Sequence, residues 1–342
     1  MRRAELSSPA LGLALAVLVG NVLILAVGES PLRVWSILLA GTWGNPYGIG
    51  QVIFKATPLA LAGLSVAVAY RAGLFNVGAE GQLSFGAFAT TLAGLALPAG
   101  TPAIVALPAC VLAGMVGGGL VGAVPGILKA RFGTNEVIGT IMLNFIVLGT
   151  IQWFLSPDRL AEPETTSTAA VLASARLPRL AAVLPALRGS AASFALVAAL
   201  VAAAAVHVLF ARTRLGFELR ALGASPLAAE AGGVRGGRAV VVAMTLAGAI
   251  AGLVGLNNVL GYKGYYEAGF SAGMGFMGLA VAMLGRSHPV GVLLAALLFG
   301  TLSQGALAIH AVVPKELVDV LQAVVILAVV ATSGDLTRRS AR

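Results

Sequence analysis

The chain has 342 residues, 58% of them hydrophobic and only 10% charged, with a mean hydropathy of +0.96 and a formal net charge of +9. Soluble domains carry about 45–50% apolar and about 25% charged residues, so this is a membrane chain, and its continuous apolar runs exclude a β-barrel of alternating segments of about 10 residues. The positive charge does not mark a nucleic-acid binder, because the arginines fall in short segments between apolar runs, where basic residues set topology.

Taken in chain order, ten runs approach the roughly 20 apolar residues that a span requires: about 10–28, 48–70, 81–98, 103–124, 137–155, 191–210, 239–257, 271–285, 289–309 and 315–333. The expected fold is an all-α polytopic bundle of about ten spans, forming a single membrane domain over 1–342. The first run follows Met1-Arg2-Arg3 and extends from Leu11 to Val27, long for a signal-peptide core and without a convincing cleavage site, so it reads as a span. The 48–70 run contains Lys55 and Pro58, and 271–285 is short and glycine-rich; either would suit a broken or re-entrant helix, which protein or a water-filled cavity must cover. With the N-terminus inside, the inner segments hold Arg2, Arg3, Arg71, Lys129, Arg131, Arg212, Arg214, Arg220, Arg235, Arg238, Arg286, Arg338, Arg339 and Arg342. The outside receives Arg33, Arg159, Arg176, Arg179, Arg188, Lys263 and Lys315, half as many, which places both termini in the cytoplasm. Two loops are long: 157–190, outside, and 211–238, inside.

The segment Gly73 to Ser84 sets Asn76, Glu80 and Gln82 among glycines between two apolar runs. Polar groups at that depth are costly unless they face protein or water. They read either as a tight turn, with Asn76 or Glu80 capping the next helix, or as a polar break lining a route for solute. Gly118-x-x-x-Gly122 and Gly248-x-x-x-Gly252 fit close helix crossing. Thr134 or Asn135 caps the fifth span, with Glu136 favoured in its first turn. Asn144 lies within that span and needs a partner, whether a neighbouring helix or a solute. In the inner loop, Leu219–Leu222 and Pro226–Ala231 read as two short helices with Gly223 between them and Gly232-Gly233 ending the second. That loop is either a solvated basic segment or a docking element. Asn257, Asn258, Tyr262, Tyr265, Tyr266 and Glu267 gather just before Gly273; such tyrosines are membrane-belt anchors or part of an outer vestibule.

Catalytic constellations are missing from the sequence. It contains no Gly-x-x-x-x-Gly-Lys-[Ser/Thr] phosphate loop, so it does not itself cradle ATP, and no Gly-x-Ser-x-Gly nucleophile turn. His207, His288 and His310 lack metal-ligand spacing, and Cys110 is the lone cysteine. No enzyme activity, cofactor or metal is expected.

Three motifs in order carry a family resemblance: Asn76-Val-Gly-Ala-Glu80-Gly-Gln82, Asn135-Glu-Val with Met142-Leu-Asn144, and Gly273 to Pro289. Together they resemble the integral membrane subunits of nucleoside-type ABC importers, within the ribose and branched-chain amino-acid permease superfamily. The family favours aspartate where this chain has Met277, which puts a sugar-hydroxyl contact there in question. The resemblance implies a cytoplasmic ATPase subunit, a second related permease subunit and an extracytoplasmic solute-binding lipoprotein as partners, besides the lipid bilayer. It makes Asn76, Glu80, Gln82, Asn144, Asn257, Asn258 and Phe276 candidates for the substrate pathway. It makes Arg220, Gly223, Ala228, Ala229, Glu230 and Gly232 candidates for ATPase coupling. Nucleosides lead as solute, with simple sugars as the alternative. The rival from another class is an ion-coupled secondary transporter, for which Lys55 and Glu80 are the available ionisable groups.

Overall fold

The computed structural model describes residues 14–15, 17–156, 158–314 and positions 320, 323, 324 and 327. Among these the chain is helical, with isolated bridges and no named strand. The helices are α1 (Val17–Ala26), α2 (Pro31–Thr42), α3 (Pro46–Arg71), α4 (Ala79–Ala96), α5 (Ala103–Phe132), α6 (Glu136–Phe154), α7 (Ala195–Arg212), α8 (Arg214–Ala224), α9 (Pro226–Ala231), α10 (Gly236–Gly252), α11 (Met274–Leu284) and α12 (Pro289–Ile309), with a π-helical stretch at Leu256–Lys263.

Six helices among the described residues are long and apolar enough to span: α3, α5, α6, α7, α10 extended through the π stretch to Lys263, and α12. The bent pair α1–α2, folded by 114°, raises this to seven at most. Of the roughly ten spans expected, six or seven are therefore borne out among the described residues. α4 opens on the polar turn Ala79-Glu80-Gly81-Gln82, which interrupts its apolar character. α11 has 11 residues, about 16 Å of helix and half a hydrocarbon layer. The 315–333 run, Arg2, Arg3 and the arginines from 338 onward lie outside the described residues. The 48–70 run is continuous helix despite Pro58, extending from Pro46 to Arg71, with Asn45 as N-cap accepting from the Gly48 amide at 2.7 Å.

Burial sorts the spans. The most apolar stretch of α3 is 83% buried, and that of α6 only 22%, so α3 runs through the centre and α6 along the periphery. The two small-residue motifs pack on each other. A Cβ at Gly118 would lie 2.2 Å from the Gly248 carbonyl oxygen, and one at Gly122 would lie 2.3 Å from that of Met244. Gly86 brings α4 into the same crossing, where a Cβ would meet Gly252 Cα at 2.2 Å. Only glycine permits backbones this close.

Candidate functional site

The site begins with a missing donor. Pro58 has no N–H, so the Phe54 carbonyl four residues earlier in α3 loses its helical partner. Asn257 Nδ2 supplies it, donating to Phe54 O at 3.2 Å. Asn257 sits in the π stretch that continues α10, a rare conformation that concentrates at functional sites. It is 1% exposed; Nδ2 also donates to Asn258 Oδ1 at 3.0 Å, and Oδ1 has no partner among the described residues.

Around this junction lies a cavity of about 750 Å³. Its walls are Phe54, Lys55, Pro58 and Leu59 of α3; Asn258, Val259, Tyr262 and Lys263 of the π stretch; and Tyr265, Tyr266, Glu267, Phe270, Ser271 and Ala272 beyond it. Met274 and Met277 of α11 close one side, and Ser303, Ala306, Leu307 and Ala323 another. Two aromatic pairs face it, Phe54–Tyr262 at 5.0 Å and Tyr266–Phe270 at 5.1 Å between ring centroids. Lys55 Nζ donates to Ser303 O at 3.2 Å, tying α3 to α12. Lys263 and Glu267, four residues apart across the end of the π stretch, form an ion pair. Burial first, then the Glu80 carboxylate, raises the Tyr266 phenol above its ordinary range, so that ring remains a neutral donor.

The segment 161–177 of the long 157–190 loop covers this end by backbone pairing. Thr168 N donates to Tyr266 O at 2.9 Å, Ala268 N to Thr166 O at 3.0 Å, and Val171 N to Gly264 O at 2.8 Å.

The polar motif after α3 lies beside the cavity and not in its wall. Asn76 and Gln82 exchange side-chain hydrogen bonds, Asn76 Nδ2 to Gln82 Oε1 at 2.8 Å and Gln82 Nε2 to Asn76 Oδ1 at 3.1 Å. Asn144 Oδ1 accepts from Gly81 N at 2.8 Å while its Nδ2 donates to Val77 O at 3.0 Å, so α6 fastens the start of α4. Glu80, 4% exposed, accepts from Gly273 N at 3.2 Å and Gly275 N at 2.7 Å, capping α11 from another helix. Asn135 is the cap of α6, accepting from Val137 N at 2.9 Å, and Glu136 pairs with Lys129 at 2.6 Å.

Of the pathway candidates, Asn258 lines the cavity. Asn257 stands directly behind it, Asn76, Glu80, Gln82 and Asn144 form the frame, and Phe276 points outward at 51% exposure. Tyr262, Tyr265, Tyr266 and Glu267, grouped by sequence as vestibule or belt, line the cavity together. Phe54, Phe270 and Ser303 carried no sequence signal except, for Phe54, its place four residues before Pro58.

At the other end of the bundle, α8 is longer than its predicted Leu219–Leu222 core, and α9 matches Pro226–Ala231, with Ser225 capping it by accepting from Ala228 N at 3.3 Å. Arg220, Gly223, Ala228, Glu230 and Gly232 are exposed there, whereas Ala229 is buried. Gly223 rests on the end of α3, where a Cβ would come within 2.4 Å of Arg71 O. Arg71 lies sixteen positions along α3 from Lys55 at the cavity, about 24 Å of helix.

A multi-pass helical bundle with a solute-sized cavity at one end and exposed short helices at the other defines a membrane transport protein. Comparison with known proteins identifies which kind. Residues 48–330 match the family described as the permease component of branched-chain amino acid transport systems, and the chain belongs to that family. It is 38% identical to the guanosine ABC transporter permease protein NupP of Bacillus subtilis, across 95% of this chain and 93% of that one. It is 35% identical to the nucleoside ABC transporter permease protein NupB of Lactococcus lactis, across 93% and 88%. It is 34% identical to the glucose ABC transporter permease protein TsgB13 of Haloferax volcanii, across 94% and 86%. No solved structure matches the chain.

Proposed function

We propose that this chain is the membrane-spanning permease subunit of an ATP-driven importer for nucleosides, working in the cytoplasmic membrane with both termini inside. The observation that carries the solute class is the cavity lining: two aromatic pairs beside Asn258, Lys55 and Ser303. Aromatic faces suit a planar base and the polar groups suit its sugar, whereas a simple sugar brings no aromatic ring to pair with both aromatic faces. The guanosine and nucleoside transport named for two relatives supports the same reading, and the glucose transport named for the third keeps simple sugars as its alternative.

The cavity is the outer part of the solute route, with Asn258 in its wall and Asn257 behind it. Asn76, Glu80, Gln82 and Asn144 are the frame that holds the route open. ATP is hydrolysed by a separate cytoplasmic subunit that docks on the 211–238 loop, with Arg220, Gly223, Ala228, Ala229, Glu230 and Gly232 at or beneath the contact. A second related permease subunit completes the pore, and an extracytoplasmic lipoprotein delivers solute to the face bearing the 157–190 loop. The ion-coupled alternative is the weaker, because Glu80 already has both oxygens on α11 amides.

Uptake of labelled guanosine into proteoliposomes holding the complete complex tests this. Uptake that requires ATP, persists when the proton and sodium gradients are collapsed, and is competed by nucleosides but not by glucose is expected. Faster uptake of glucose than of any nucleoside would overturn the solute assignment, and gradient-driven uptake without ATP would overturn the class.

A further inference from the structure

The half-length helix α11 is held at both ends by one short segment, residues 71–80. At its start, Glu80 accepts from the amides of Gly273 and Gly275. A buried carboxylate is tolerated only when hydrogen-bonded, and the first turn of a helix supplies free donors and a favourable dipole. Gly275 makes the approach possible, since a Cβ there would lie 2.2 Å from Glu80 N. At the far end, Arg71 Nε donates to Ser287 O at 2.8 Å. The chain leaves α11 through Arg286 and Ser287 at φ +53° and +51°, a left-handed conformation that non-glycine residues hold only when their surroundings impose it.

The same segment is the seat of the α8–α9 loop. Gly223 packs on Arg71, Ala72 and Gly73, and Gly73 turns the chain at φ +74° into the polar motif that leads to Glu80. At the other extreme of this chain of contacts, Met274 and Met277 of α11 line the cavity. One segment therefore touches the short exposed helices on one side and clamps a wall of the cavity on the other.

We propose that Glu80 is a positioning residue for transport: it locks α11 to segment 71–80, so that displacement of α8–α9 moves α11 as a rigid rod and reshapes the cavity. This rests on the importer reading above, in which an ATPase drives α8–α9. Glutamine at position 80 keeps one acceptor oxygen and turns an amide donor toward the α11 donors, so it loosens the lock without removing bulk. Alanine at 275 wedges the two backbones apart while leaving Glu80 in place.

The test uses the complete complex in proteoliposomes, with uptake and ATP hydrolysis measured together and normalised to folded complex. For Glu80→Gln and Gly275→Ala, maximal guanosine uptake is expected to fall by about tenfold with KM nearly unchanged and hydrolysis continuing, so that more ATP is spent per solute. A purely structural role would reduce the amount of folded complex yet leave the ATP-to-solute ratio at the wild-type value, and that result overturns the proposal. Hydrogen exchange on the unmodified complex decides the matter even where a variant fails to fold. The Gly273 and Gly275 amides should stay protected both at rest and in the vanadate-trapped state, and loss of their protection on trapping would show the lock breaking and overturn the rod. Failure of the unmodified complex to take up any nucleoside with ATP would instead refute the function reading itself, and the proposal with it.

Discussion

Pro58 and Asn257 show how one residue creates the need that another, distant in sequence, fills. The proline strips a donor from α3, and the Asn257 amide reaches the stranded Phe54 carbonyl from the π stretch after α10. Asn257→Ala should lower stability by about 1 kcal/mol, the scale of hydrogen bonds between membrane helices. Pro58→Ala restores the backbone donor, so the loss on Asn257→Ala should shrink markedly in that background. Melting temperatures of the four proteins in detergent give the coupling directly. Strict additivity would mean that Asn257 does not act by replacing the proline's missing donor.

Among the elements, α4, α5 and α10 cross at glycines and cannot separate without losing their contact surface. In a membrane, where apolar burial drives little association, that surface is most of what holds helices together. Gly118→Leu places a side chain where the Gly248 carbonyl already lies 2.2 Å from any Cβ, and overpacking of this kind costs about 1–3 kcal/mol or forces the helices apart. Its melting temperature should fall well below that of Gly149→Leu, a change on α6 where nothing lies within 4 Å of the added carbon. Equal behaviour of the two variants would show that the crossing tolerates expansion.

For the whole molecule, cavity and exposed short helices occupy opposite ends of the bundle, so their communication has to pass through packed helices. Glu230 and Gly232 lie at the surface of the α9 region, and a Cβ at Gly232 comes no nearer than 3.4 Å to any neighbour. The double variant Glu230→Ala, Gly232→Ala should therefore fold with a melting temperature within about 2 °C of wild type, as surface changes do. In the reconstituted complex it should uncouple ATP hydrolysis from guanosine uptake. Wild-type uptake and stimulation together would remove the 211–238 loop from the coupling role. How much of this was legible follows from the range of the interactions. The cap at Asn135, the α9 helix and the apolar runs depend on neighbours within a turn or on composition, and the sequence displays them directly. The runs at α4 and α11 were less legible, because a polar-headed helix and one of 11 residues both read as apolar runs until the helix bounds are known.

The amino-acid sequence by itself determined that this is a helical membrane protein, which glycines permit close crossing, and, through motif order, the family it belongs to. Hydropathy, local capping and small-residue spacing act over a few residues and survive in a one-dimensional reading. Only the tertiary structure decided what the buried polar groups do: that Asn76 and Gln82 satisfy each other, that Asn144 fastens the start of α4, and that Glu80 caps α11 through amides 193 and 195 residues away. It also decided that Phe54, Asn258 and Tyr266 share one cavity. A buried amide or carboxylate must find a partner, but its chemistry does not say which one, and that choice is made when distant helices pack.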